Sequence, residues 1–181
     1  MKENHLKRMS LKSEPSKIFG IDLGTTNSAI ALRTASSVPT LIKVGHKTTL
    51  PSCVMWENGK FVVGEEAYAK RYQSNVIYSV KRLMGSNEVI KLVDGENSIS
   101  LTPAEVSSYI LKELCNRAST YYDNIKDVVI TVPAYFNQKQ IEDTLKAGEL
   151  AGLNVHHILK EPTSAGYVYS NIDSAESGEQ V

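Results

Sequence analysis

Cysteine is scarce in this chain. Only Cys53 and Cys115 occur among 181 residues, and no Cys-x-x-Cys pair is present. That spacing argues against a disulfide framework and a structural zinc site. Reduced thiols in the cytoplasm are the expectation. Neither sign of charge is in excess: Lys plus Arg number 20, Asp plus Glu number 20, and the formal net charge is zero. A nucleic-acid footprint is therefore unsupported, and near-neutrality gives little protection against self-association. No apolar run approaches the roughly 20 residues that cross a membrane. Residues 1–17 carry lysines but no apolar core, so they do not read as a secretory signal. A disordered leader is expected there.

What is present begins with Ile18-Phe-Gly-Ile-Asp-Leu-Gly-Thr-Thr-Asn-Ser28. It reads as a strand ending in Asp22, a turn at Gly24 armed with the hydroxyls of Thr25 and Thr26, and a second strand. A glycine-and-hydroxyl turn lets backbone N–H groups and short side chains approach a phosphate. An aspartate before it can hold hydrated magnesium, because hard cations take oxygen ligands. A plain hairpin can also use Asp and Gly in its turn.

Length suggests one domain, large enough to bury roughly 70% of its unfolded surface. Ile18–Leu23 and Ser28–Arg33 predict two antiparallel strands, with a third near Thr40–Val44. Cys53–Trp56 and Phe61–Val63 flank Glu57-Asn-Gly-Lys60, a hairpin signal. Glu65 to Tyr72 reads as helix. Leu101-Thr-Pro-Ala-Glu105 opens another, with Thr102 as cap, Pro103 in the first turn and Glu105 bonding back. Val106, Ile110, Leu114 and Ala118 share one face. Asp127–Val132 reads as a central buried strand, ended by Pro133. A helix from Gln138 to Ala151, a strand from Val155 to Leu159 and a helix from Pro162 to about Tyr169 follow. This order fits a mixed sheet with helices on both faces. Asp173 to Val181 is a small, polar tail.

Three later segments join the first: Tyr78-Ser-Val-Lys-Arg-Leu-Met-Gly85, Val128-Val-Ile-Thr-Val-Pro-Ala-Tyr-Phe-Asn137 and Leu159-Lys-Glu-Pro-Thr-Ser-Ala-Gly166. With these four blocks in this order, the chain from about Lys17 to Ile172 resembles the seventy-kilodalton heat-shock chaperones of the DnaK type. The resemblance covers the first lobe of their actin-like ATPase domain. It implies an α/β fold: a ribonuclease-H-like, five-stranded mixed sheet flanked by helices, with a small subdomain inserted at about 45–105. The whole lobe would span residues 18–172. The implied function is ATP binding and hydrolysis in a molecular chaperone that assists protein folding.

The resemblance also implies roles. Asp22 would help position hydrated magnesium. Gly24, Thr25, Thr26 and Asn27 would form the first phosphate loop, with Thr25 facing the terminal phosphate; strand propensity alone also accounts for the two threonines. Lys81 would act on phosphate and attacking water, against the default of a solvated lysine. Glu161 would reach a magnesium-bound water, while a helix N-terminus by itself favours a carboxylate there. Pro133 and Tyr135 would belong to a nucleotide-sensing switch, although a strand-ending proline needs none. ATP or ADP and Mg2+ are the implied cofactors. Unfolded polypeptides, a J-domain co-chaperone and a nucleotide exchange factor are the implied partners.

Some residues depart from the family pattern. Ile141 stands at a usual arginine, Lys160 at the usual Asn, His157 at an arginine that commonly serves J-protein contact, and Ala29 at the usual cysteine. The stretch from Ser86 to Leu101 is short, as in divergent bacterial members resembling HscC. A second phosphate loop, an adenosine-binding lobe, a peptide-binding domain and an interdomain linker are not found. A pocket usually buries 70–90% of its ligand. Losing about 4 kcal/mol of contact would weaken binding roughly a thousandfold. The expectation is a chain weak or inactive as an ATPase by itself. The alternative is a non-enzymatic, truncated interaction module that binds a co-chaperone or a separate second lobe.

Overall fold

The computed structural model describes residues 17–33 and 39–161. The expected leader, the helix from Pro162 and the tail from Asp173 lie outside the described residues.

Phe19–Asp22 (β1) and Asn27–Arg33 (β2) pair antiparallel, with Asp22 opposite Ala29. Pro39–Leu41 (β3) continues the meander beside β2. Thr49–Pro51 (β4) pairs with the start of β2, through Asn27, Ser28 and Ala29. Asp127–Val132 (β10) runs parallel to β1, and Asn154–Lys160 (β11) runs parallel to β10. The path β11-β10-β1-β2-β3 is the expected five-stranded mixed sheet, and β4 adds a sixth strand. Strand β10 lies inside the sheet, with Val128, Ile130 and Val132 buried.

Between β4 and β10 the chain builds a second layer. Cys53–Glu57 (β5) lies between Lys60–Val63 (β6) and Val76–Tyr78 (β7) in a three-stranded sheet. The β5–β6 turn places Asn58 and Gly59 at φ 52° and 73°, the left-handed pair that an Asn-Gly hairpin turn needs. Glu65–Ala69 (α1) follows. It is shorter than expected: the Arg71 guanidinium donates to the Tyr68 carbonyl at 3.0 Å, and the chain leaves the helix in turns. Ile90–Asp94 (β8) and Asn97–Leu101 (β9) form a hairpin closed at Gly95, φ 59°.

Pro103–Ala118 (α2) has the reciprocal capping box read from Thr102 and Glu105. Its Val106, Ile110, Leu111, Leu114 and Ala118 are fully buried beside Phe19, Ile21, Ile30 and Ile130 of the sheet. Gln138–Leu150 (α3) is capped in the same way by Asn137 and Gln140. It packs along α2 and β11. Burial drives this assembly, at roughly 25 cal/mol per Å² of apolar surface removed from water. Cys53 and Cys115 are free thiols in the interior. Burial pushes them up to about 11 and about 12, so both are poor nucleophiles. Among the described residues no helix is long and apolar enough to cross a membrane.

Gly148 sets the spacing between α3 and the sheet, because a Cβ there would run into Val155 and approach Ile130. Gly148→Ala should therefore overpack this contact and cost about 1–3 kcal/mol. A urea-unfolding midpoint that falls at unchanged slope is the expected result.

Candidate functional site

The parallel register of β1, β10 and β11 brings three distant motifs to one rim. Asp22 is opposite Thr131, and Thr131 is opposite Leu159. The carboxyl ends of the three strands are therefore level. Ligands of open α/β sheets bind outside such carboxyl ends. Asp22 ends β1, Pro133 follows β10, and Glu161 follows β11.

Beyond Asp22 the chain turns sharply through Gly24–Thr26 into β2. A Cβ on Gly24 would collide with the Asn27 carbonyl, so this reversal needs glycine. The turn is stapled from the side. Ser52 donates its N–H to the Thr26 carbonyl at 2.8 Å, and its hydroxyl is 2.9 Å from that of buried Ser28. Thr25 is half-buried, while Thr26 and Asn27 are exposed.

Lys81 enters from the second layer. It lies in a 3-10 turn, Val80–Leu83, that starts at Ser79, itself left-handed at φ 57°. Lys81 is only 7% exposed. Its Nζ is 3.3 Å from Glu161 Oε1 and 5.7 Å from the centroid of the Phe136 ring. Burying an ammonium is costly unless it is paired, and an aromatic face adds about 0.5–2 kcal/mol. Asp22 feels both charges. Crowding by protein atoms raises its pKa above the ordinary value of 3.8, although the residue is solvent-exposed by area. Lys81 pulls it down, Glu161 pushes it up, and the Thr131 hydroxyl pulls it down. Loss of hydration is the largest of these influences, and together with Glu161 it outweighs Lys81 and Thr131.

The structure thus brings Asp22, Lys81 and Glu161 together, with the Gly24–Asn27 turn directly after Asp22. Pro133 is buried at the start of a turn in which the Phe136 N–H bonds back to the Pro133 carbonyl at 3.1 Å. Tyr135 is 79% exposed and touches the Phe136 ring edge-on. Phe136 approaches Lys81 and packs with Met84 and Val132. Ser52, Thr131 and Phe136 were not singled out from the sequence. Thr131 and Phe136 both stand inside the Val128–Asn137 block, whereas Ser52 lies outside all four blocks and owes its place to contacts with the β1–β2 turn 24 or more residues away. Among the described residues, no group of three or more His, Cys, Asp or Glu is placed to hold a metal ion. Asp22 and Glu161 do offer hard oxygen donors, and their mutual repulsion would be relieved by a hydrated cation. The donor chemistry fits magnesium held through water.

The family model described as "Hsp70 protein" matches residues 18–181. The chain belongs to the Hsp70 family, as its N-terminal ATPase region. It is 41% identical over 154 residues to the chaperone protein DnaK of Mycoplasmoides gallisepticum, covering 84% of this chain and 26% of that protein. It is 40% identical over 168 residues to the chaperone protein DnaK of Mycoplasma mobile, covering 91% of this chain and 27% of that one. The chain spans about a quarter of the length of these curated relatives.

The electrostatics have a measurable sign. Glu161→Gln should lower the Asp22 pKa, and Lys81→Met should raise it, in a carboxyl-carbon NMR titration. Because the folded pKa is raised, the protonated form of Asp22 is favoured in the folded state. Stability is then lost as pH climbs from 3.8 through the folded value. Asp22→Asn should remove that fall.

Proposed function

We propose that this chain supplies the phosphate side of an ATP-hydrolysing site in a DnaK-type chaperone. One observation carries the reading: a buried ammonium, Lys81, held 3.3 Å from Glu161 and in the field of Asp22, at the carboxyl rim of parallel strands. In this reading the amides and hydroxyls of Gly24, Thr25, Thr26 and Asn27 cradle phosphate oxygens. Asp22 and Glu161 hold hydrated magnesium through its waters. When bound, that ion supplies charge neutralisation and a template for the phosphates. Lys81 offers three N–H donors, which fit an attacking water and the oxygens that gain charge. The Lys81–Glu161 contact orients the ammonium before any nucleotide arrives, so little reorganisation is needed during the reaction.

Pro133 and Tyr135 are the proposed switch residues. Their turn contains Phe136, whose ring approaches Lys81, and this supports a route from the site to the turn. ATP and ADP are the proposed ligands. Client polypeptides, a J-domain co-chaperone and an exchange factor are the proposed partners in the cytoplasm, by way of the length that relatives carry beyond this region.

The test needs the complete catalytic cleft, for instance this chain joined to the remaining length of a DnaK relative. Lys81→Ala should lower single-turnover hydrolysis about a hundred- to thousandfold, equivalent to roughly 2.7–4 kcal/mol, while nucleotide affinity stays close to that of the parent. Asp22→Ala should weaken both. An unchanged rate in Lys81→Ala, with an active parent, would mean that Lys81 plays no part in the chemistry.

A further inference from the structure

We propose that Asp143, on α3 and outside the cluster described above, is a positioning residue that clamps the Lys81 turn. This rests on the reading of Lys81 given under the proposed function. The turn is bracketed by two left-handed residues, Ser79 at φ 57° and Gly85 at φ 78°. Serine in that region is strained, and such a conformation persists only where its surroundings over-determine it. The far bracket is tied to a separate element, helix α3. Asp143 Oδ2 accepts the Gly85 N–H at 2.7 Å, across 58 positions of sequence. A bond from N–H to a carboxylate is roughly twice as strong as one between neutral groups.

The surroundings show that Gly85 is held close, not merely near. A Cβ on Gly85 would meet the Gln140 Cγ at 2.6 Å and the Gln140 backbone nitrogen at 3.1 Å. A second tie runs parallel: Lys139 Nζ donates to Asn87 Oδ1 at 2.7 Å. Between bracket and Lys81, Met84 is buried with Val132 and Phe136, and the Ser107 hydroxyl reaches its sulfur at 3.5 Å. The Met84 N–H returns to the Lys81 carbonyl at 3.4 Å. Lys81 is thus four residues from an anchor on a helix that starts just after the Pro133–Phe136 turn. Losing the anchor frees one end of a strained turn, and the Lys81 ammonium leaves Glu161 for solvent.

Competitive acetylation of the 181-residue chain tests this without nucleotide. Asp143→Ala should raise Lys81 labelling several-fold while Cys53 and Cys115 stay protected from thiol reagents. Asp143→Asn keeps an acceptor oxygen and should restore most of the protection. Unchanged Lys81 labelling in Asp143→Ala overturns the proposal. So does labelling that rises only together with exposure of both buried thiols, since that is general unfolding. In the chain joined to the rest of a DnaK relative, Asp143→Ala should lower kcat about ten- to a hundredfold with nucleotide affinity kept, because misplacing a reacting group by about 1 Å costs up to that much. If Lys81→Ala leaves hydrolysis intact, the reading of the site fails, and the labelling result still decides the role of Asp143.

Discussion

A lysine ammonium 7% exposed must be paired, and the site depends on the fold bringing Lys81 its partner. Its acid partner, Glu161, is 80 positions away. No local structure can close that distance. It is closed because β1, β10 and β11 run parallel and end level, while a separate layer carries Lys81 to the same rim. Parallel strands need crossover connections, and here α3 provides the one between β10 and β11. The core under α2 and α3 is therefore what holds the charged cluster in register.

The same cluster shows why a stable fold tolerates an unfavourable site. The Asp22 carboxyl is desolvated and repelled by Glu161, and Lys81 and Thr131 offset this in part. Perturbed acids of this kind gather where charge has to be handled. Ser79 adds backbone strain beside Lys81. These costs sit at the rim, whereas Ile110, Leu111, Leu114 and Ile130 lie fully buried beneath it.

Much of the fold was legible because its signals are local. The Thr102–Glu105 box, the Asn137 cap, the Asn58–Gly59 turn and the β-branched run of β10 all matched what their residues dictate. Less was legible where structure comes from pairing. β4 is three residues long and exists by lying against β2. β7 is similar beside β5. The β8–β9 hairpin differs from these, because Asp94-Gly95 is a local turn signal. For the site, the motif residues Asp22, Lys81 and Glu161 could be named from the four blocks, but their supports could not. Ser52, Thr131 and Asp143 act through partners 24, 110 and 58 positions away. No periodicity or motif reports contacts of that range.

The central claim is that the carboxyl rim between Asp22, Lys81 and Glu161 receives nucleotide phosphate. The most direct measurement is a magnesium–ATP titration of the 181-residue chain followed residue by residue by NMR. One side of a nucleotide cleft should bind weakly, in the high micromolar to millimolar range. The account predicts that shifts gather at Asp22–Asn27, Lys81 and Glu161, and that inorganic triphosphate reproduces them. Shifts that leave these residues unmoved while gathering on another face would contradict it.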